Sequence, residues 1–154
     1  MKTSAELLVA KLRESGLTCA TAESCTGGGV AEAITSVPGA SEVYLGSVVS
    51  YANSVKEDVL GVPREVLAGV GAVSRECAAR MAIGARELIK ADRAVSVTGI
   101  AGPGGGSIAK PVGTVWFGLA TADGATAEMC RFEGGREDIR RQAVEKALEL
   151  LAAF

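Results

Sequence analysis

The chain is 154 residues long, 48% hydrophobic and 22% charged, with a formal net charge of -2. That length suits a single domain, residues 1–154, with a sizeable buried core. Without a basic excess, and with only 4% aromatic residues, no nucleic-acid partner is expected, neither through the phosphate backbone nor through base stacking.

The opening residues read as an amphipathic helix rather than a signal peptide, and no apolar run approaches the roughly 18 residues that span a bilayer, so no membrane partner is expected. The cysteines, at 19, 25, 77 and 130, form no C-x-x-C pair, and the chain has no histidine. A zinc site is therefore not expected, and the cysteines read as reduced thiols of a cytoplasmic protein.

Thr3-Ser4-Ala5-Glu6 is a capping-box pattern, followed by Ala5, Leu8, Val9 and Leu12 at helical spacing and a stop at Gly16. Leu17 to Thr21 reads as a short strand and Glu23 to Gly29 as a loop. Val30, Ala33, Ile34 and Val37 make the stripe of a second helix, closed by Pro38-Gly39. Glu42 to Tyr51 reads as a strand, and Asn53 to Leu60 and Arg64 to Ala68 as short helices.

Ser74 caps a longer helix with Ala78, Met81, Ala82, Ala85 and Ile89 turned inward. Ala94 to Thr98 is a candidate central strand, followed by a glycine-rich loop from Gly99 to Pro111. Val112 to Thr121 and Ala125 to Phe132 read as strands joined by a hairpin at Asp123-Gly124. Gly134-Gly135 precedes a last helix that buries Val144, Ala147, Leu148 and Leu151. Helices alternating with the first strands, then a hairpin, predict an α/β fold with a mixed sheet of about five strands.

Two glycine-rich stretches invite chemistry. The Gly99–Lys110 loop lacks the Walker pattern, and its degenerate dinucleotide fingerprint, Gly104-x-Gly106-x-x-Ala109, leads into a strand instead of the required helix. It is read either as a surface loop or as an anion-binding concavity at the carboxyl end of a central strand. The other stretch, Ala22-Glu23-Ser24-Cys25-Thr26-Gly27-Gly28-Gly29, runs from a strand into a helix. There Ser24 or Thr26 is a helix cap, or Ser24 is a nucleophile beside N–H groups able to hold an oxyanion.

Without histidine, a serine nucleophile needs another base, and lysine is the usual substitute once burial lowers its pKa. Among Lys2, Lys11, Lys56, Lys90, Lys110 and Lys146, the candidate is Lys56, in Tyr51-Ala52-Asn53-Ser54-Val55-Lys56 just after a strand, with Tyr51 as a possible proton relay. The other reading makes Lys56 an exposed helix lysine paired with Glu57 or Asp58. Cys25 is the rival nucleophile. Arg136 and Arg140 share a helix face behind Gly134-Gly135, and either bind a phosphate or pair with Glu133, Glu137 and Asp138.

Several of these segments, in order, resemble the CinA carboxy-terminal domain family: Ala22 to Gly28, Tyr51 to Lys56, Gly71-Ala72-Val73-Ser74, and Val97 to Ser107 with Lys110 to Phe117. The resemblance covers nearly the whole chain. It implies a three-layer α/β/α sandwich with a mixed five-stranded sheet and, from the family's enzymatic members, deamidation of nicotinamide mononucleotide to nicotinate mononucleotide and ammonia. It implies a serine nucleophile and a lysine base, roles that fall on Ser24 and Lys56, with Tyr51 in the same site.

Thr26, Gly27, Gly28, Thr98, Gly99, Gly102, Arg136 and Arg140 then become substrate-binding candidates, and Glu23 a partner for the pyridinium charge. No cofactor or metal is expected; the expected partner is a small nucleotide substrate. The family often carries Gly-Asp-Arg where this chain has Gly134-Gly135-Arg136. Larger members add an amino-terminal domain with nucleotide pyrophosphatase activity, for which this length leaves no room. The competing class is a non-enzymatic module that binds a pyridine nucleotide or docks onto a partner. A homodimer or higher homo-oligomer is expected, since small α/β enzymes commonly pair through helices or edge strands.

Overall fold

A computed structural model describes residues 1–154. The elements are α1 (Ser4–Ser15), β1 (Cys19–Glu23), α2 (Gly29–Thr35), β2 (Tyr44–Val49), α3 (Asn53–Asp58), α4 (Arg64–Ala68), α5 (Arg75–Ile89), β3 (Arg93–Gly99), β4 (Thr114–Thr121), β5 (Gly124–Arg131) and α6 (Arg136–Ala152). The strands form one mixed sheet in the order β2-β1-β3-β4-β5. β1 runs parallel to both β2 and β3, and β4 and β5 are antiparallel additions.

The two faces of the sheet carry different side chains. Cys19, Val95, Val97, Val115 and Phe117 pack against α1, α2 and α6, which contribute Leu8, Leu12, Val30, Ile34, Ile139, Leu148 and Leu151. Each fully buried aliphatic side chain of that size contributes about 1.5–3 kcal/mol.

The opposite face presents Ala20, Ala22 and Ala94, and the chain there packs Leu60, Val62, Cys77, Met81 and Ala85 against them. Small side chains let α5 lie close to the sheet. The Ser96 hydroxyl donates to the Ala78 carbonyl of α5 and accepts the Gly118 N–H. A Cβ at Gly118 would stand 2.1 Å from that same carbonyl oxygen.

This layering positions the site. The chain leaves β1 toward the α1/α2/α6 face and leaves the neighbouring β2 toward the α5 face, so a crevice opens between their carboxyl ends. Open α/β sheets bind ligands where adjacent connections diverge in this way.

The expected elements form, with shifted ends. The first strand begins at Cys19 rather than Leu17 and includes Glu23, which pairs with both Val49 and Val97. Ladders on both sides carry the extended backbone past a residue whose polarity had suggested a loop. The second helix ends at Thr35, and Ala40–Glu42 coils into a 3-10 turn, so β2 starts at Tyr44 rather than Glu42.

Gly118→Ala should destabilise the fold by about 1–3 kcal/mol, because the added methyl must push α5 off the sheet. Urea denaturation of the variant beside the parent measures this.

Candidate active site

Ser24 follows the last residue of β1. Its N–H donates to the Val97 carbonyl (2.9 Å) and the Ser50 N–H donates to the Glu23 carbonyl (2.8 Å), so both neighbouring strands fix the backbone at the strand end. Lys56 lies in α3, just beyond β2. Helical side chains lean toward the helix N-terminus, which carries the lysine back over the end of β2.

The Lys56 amine is 3.0 Å from the Ser24 hydroxyl oxygen, 2.8 Å from the Ser50 carbonyl and 3.0 Å from the Tyr51 carbonyl. Ser24 is 8% exposed and Lys56 1%. No carboxylate pairs with Lys56, and its neighbour Glu57 pairs with Arg64 instead. The exposed, ion-paired lysine is therefore not what the fold produces.

Both carbonyls can only accept hydrogen bonds. An ammonium donates to both carbonyls and to the Ser24 hydroxyl oxygen; a neutral amine donates to the carbonyls and accepts from the serine O–H. Burial lowers the Lys56 pKa below the ordinary 10.5, which favours that neutral form. Nearby thiolates would oppose this, but burial pushes Cys77 and Cys25 each up to about 11, so both remain thiols. Cys25, packed into the core beside α2, makes no hydrogen bond to the lysine.

Ser24 and Lys56 face a cleft of about 200 Å³ that is also lined by Cys25, Tyr51, Asn53, Ala72, Val73, Thr98, Gly99, Ala101 and Arg136. The Thr98 hydroxyl donates to the Ala72 carbonyl (2.9 Å) and holds that wall. A larger cavity of about 520 Å³ lies between the end of α2 and the start of β2, away from Ser24 and Lys56.

Other sequence candidates fall elsewhere. The Glu23 carboxylate is fully buried and does not reach the cleft. One oxygen accepts from the Thr26 hydroxyl (2.7 Å) and the Val30 N–H (2.8 Å), the other from the Ala31 N–H (2.9 Å). Glu23 thus caps α2, an assignment the sequence had offered to Ser24 or Thr26; the residue at the formal cap position, Gly28, has no side chain to do so. Thr26 is committed to Glu23. Gly27 (φ +60°) and Gly28 (φ +102°) supply left-handed backbone that side chains rarely adopt.

The Tyr51 phenol is exposed and 3.5 Å from the Arg136 guanidinium, and makes no hydrogen bond to Lys56 or Ser24. Arg136 lines the cleft and donates to the Gly102 carbonyl (2.7 Å), which ties the glycine-rich loop to α6. Arg140 lies outside the cleft and donates to the Cys25 (3.0 Å) and Thr26 (3.2 Å) carbonyls. Neither arginine pairs with an acid; only Arg141 takes Asp138, at 3.2 Å. At Gly135 the Asp138 carboxylate accepts the backbone N–H (3.0 Å) and fixes the start of α6.

The Ser50 and Tyr51 carbonyls emerge as lysine acceptors only in the fold, while the further cleft walls Asn53, Val73 and Ala101 lie within the motif segments Tyr51–Lys56, Gly71–Ser74 and Val97–Ser107. No cluster of three acidic or thiol side chains stands at metal-ligand spacing. No helix is long and apolar enough to cross a membrane.

A model of the CinA C-terminal domain matches residues 1–154. The chain belongs to the CinA C-terminal domain family. It is 51% identical over 142 residues to the nicotinamide-nucleotide amidohydrolase PncC of Escherichia coli, covering 91% of this chain and 86% of that protein. It is 48% identical to a CinA-like protein of Synechococcus, covering 96% of this chain but 36% of that one. The chain thus spans about a third of the length of such CinA-like relatives. Among solved structures, the competence/damage inducible protein CihA from Agrobacterium tumefaciens matches with a TM-score of 0.93 at 44% identity, over 98% of this chain and 94% of that one. These likenesses agree with the mixed α/β fold and with the family read from the motifs.

The buried amine leaves a mark on stability. Below its lowered folded pKa, Lys56 is charged in both states and the folded chain bears the full desolvation cost. Between that value and 10.5 the unfolded chain holds the extra proton, so stability rises with pH. Urea denaturation at about pH 7 and about pH 10 should show this rise in the parent and its loss in Lys56→Met.

Proposed function

We propose that this chain is an amidohydrolase that converts nicotinamide mononucleotide to nicotinate mononucleotide and ammonia, in pyridine nucleotide recycling, through an acyl-serine intermediate. The observation that carries the mechanism is the 3.0 Å contact between a buried, acid-free Lys56 amine and the Ser24 hydroxyl. The substrate class is supported by the likeness to the Escherichia coli amidohydrolase, which extends over most of both chains.

In the first half-reaction, neutral Lys56 takes the Ser24 proton as the serine oxygen bonds to the carboxamide carbon. The carbonyl oxygen becomes an oxyanion held by backbone N–H groups. Protonated Lys56 then gives its proton to the amide nitrogen, the C–N bond breaks and ammonia leaves. In the second, water adds to the acyl-serine ester while Lys56 accepts its proton. Collapse returns that proton to the serine oxygen and releases the carboxylate product. General base assistance of this kind typically contributes about 10²–10⁴-fold.

The Ser50 and Tyr51 carbonyls hold the lysine with its lone pair on the nucleophile. In this reading Arg136, in the first turn of α6 and lining the cleft, takes the substrate phosphate and so supplies orientation away from the chemistry. The ring charge of the substrate draws electrons from the carboxamide and eases attack. Tyr51, exposed on the cleft wall, borders the ring or ribose rather than relaying a proton.

Ammonia release from nicotinamide mononucleotide tests this reading. Ser24→Ala and Lys56→Ala should each cut turnover by more than about 10³-fold, and Cys25→Ala should stay within a few fold. A folded Ser24→Ala that keeps parental turnover ends the proposal. So does a Cys25→Ala that loses it while Ser24→Ala does not. A protein that binds the nucleotide but releases no ammonia is a binding module instead. Rate should also climb with pH as Lys56 deprotonates, with its midpoint below 10.5.

A further inference from the structure

We infer that Arg140 is a positioning residue for the oxyanion site, acting on the peptide that follows the nucleophile and not on the substrate phosphate. This rests on the amidohydrolase reading above and adds the origin of its oxyanion donor.

The turn after Ser24 is gripped from two sides. From within the fold, Glu23 accepts the Thr26 hydroxyl and the Val30 and Ala31 N–H groups. From α6, the Arg140 guanidinium donates to two successive carbonyls, Cys25 at 3.0 Å and Thr26 at 3.2 Å. Arginine's planar fork suits two acceptors held in fixed relation, and here both are main-chain oxygens.

A trans peptide points its C=O and N–H in opposite directions. Fixing the Cys25 carbonyl toward Arg140 therefore turns the Thr26 N–H away from Arg140. Fixing the Thr26 carbonyl does the same to the Gly27 N–H, which closes the turn onto the Ser24 carbonyl at 3.1 Å. The Thr26 N–H, in the peptide that follows cleft-lining Cys25, has no such partner within the chain, whereas the Cys25 N–H faces its own thiol sulfur. An unpaired donor thus stands two residues after the nucleophile, in a peptide whose plane a guanidinium sets.

A cation on a peptide oxygen also polarises the peptide and makes its N–H a stronger donor. Oxyanion donors act by being oriented before charge develops, and removing one costs about 10²–10³-fold in turnover.

Packing enforces the arrangement. A Cβ at Gly27 would lie 3.3 Å from the Arg140 terminal nitrogen, and Gly27 already has φ +60°. Arg140 has no carboxylate partner to draw it off, and it does not line the cleft, whereas Arg136 does. The two arginines, one helical turn apart, divide the work: Arg136 toward the ligand and Arg140 toward the backbone.

The split between kcat and KM for nicotinamide mononucleotide separates the roles. Arg140→Gln should lower kcat by about 30- to 300-fold and leave KM within about threefold. Arg140→Lys, which keeps the charge but not the fork, should recover only part of the loss. Arg136→Gln should show the opposite split, with KM raised and kcat largely kept.

Gly27→Ala, which retains every charged group and crowds the guanidinium, supplies a second route and should also lower kcat more than it raises KM. Far-UV circular dichroism and thermal melting confirm that each variant is folded. A KM raised tenfold or more with kcat preserved in Arg140→Gln would assign Arg140 to the phosphate and overturn the inference, as would parental kinetics in both Arg140→Gln and Gly27→Ala. If the parent itself releases no ammonia, the amidohydrolase reading fails first, which is a different result.

Discussion

The molecule is organised around one amine held out of water. Burying an ammonium is costly unless charge or hydrogen bonds compensate, and here no carboxylate is supplied. Two main-chain carbonyls and one hydroxyl surround Lys56 instead. That set supplies acceptors for the N–H groups of either form but no opposite charge, so burial disfavours the ammonium. In the proposed reaction the base comes from the shape and dryness of the pocket, not from an intrinsically suitable pKa.

The pocket depends in turn on the sheet. Lys56 and Ser24 are 32 residues apart and meet because β1 and β2 lie side by side and parallel, with their chains diverging to opposite faces. The small residues on the α5 face, Ala20, Ala22, Ala94 and Gly118, let that layer, with Leu60 and Val62, sit close against the sheet. Glu23 contributes from the other layer. Its carboxylate holds the start of α2, and with it the turn that carries Ser24, while remaining hidden from the cleft. Glu23 and Arg140 together make the turn a rigid part of the sandwich rather than a loop free to sample many shapes.

Much of this was legible beforehand, and the places where reading failed share a cause. The capping box at Thr3, the cap at Ser74 and most of the stripes of α1, α5 and α6 follow from local spacing, although Ile89 and Val144 are only partly buried and Ile139 and Ala143 complete the α6 face. Glu23 was misplaced as a loop residue and then as a partner for a ligand charge, because an acid at a strand end suggests solvent or substrate. Its true partners are N–H groups exposed by the next helix. Arg140 was grouped with Arg136 by helical spacing, which places side chains on one face but does not say which neighbour each meets. Tyr51 was drawn to the lysine by sequence proximity, yet its carbonyl rather than its phenol makes the contact.

Sequence alone determined the mixed α/β class, the family, the absence of any histidine-based dyad and the short list of groups able to replace one. These follow from composition, periodicity and ordered motifs, which belong to the chain whatever its shape. Only the tertiary structure decided that Lys56 is buried against Ser24 rather than solvated beside Glu57, that the lysine bonds Ser24 and not the adjacent cleft-lining Cys25, and that the two arginines face different partners. Burial and direction arise where strands and helices distant in sequence converge, and the free energy of a charge depends on what surrounds it there.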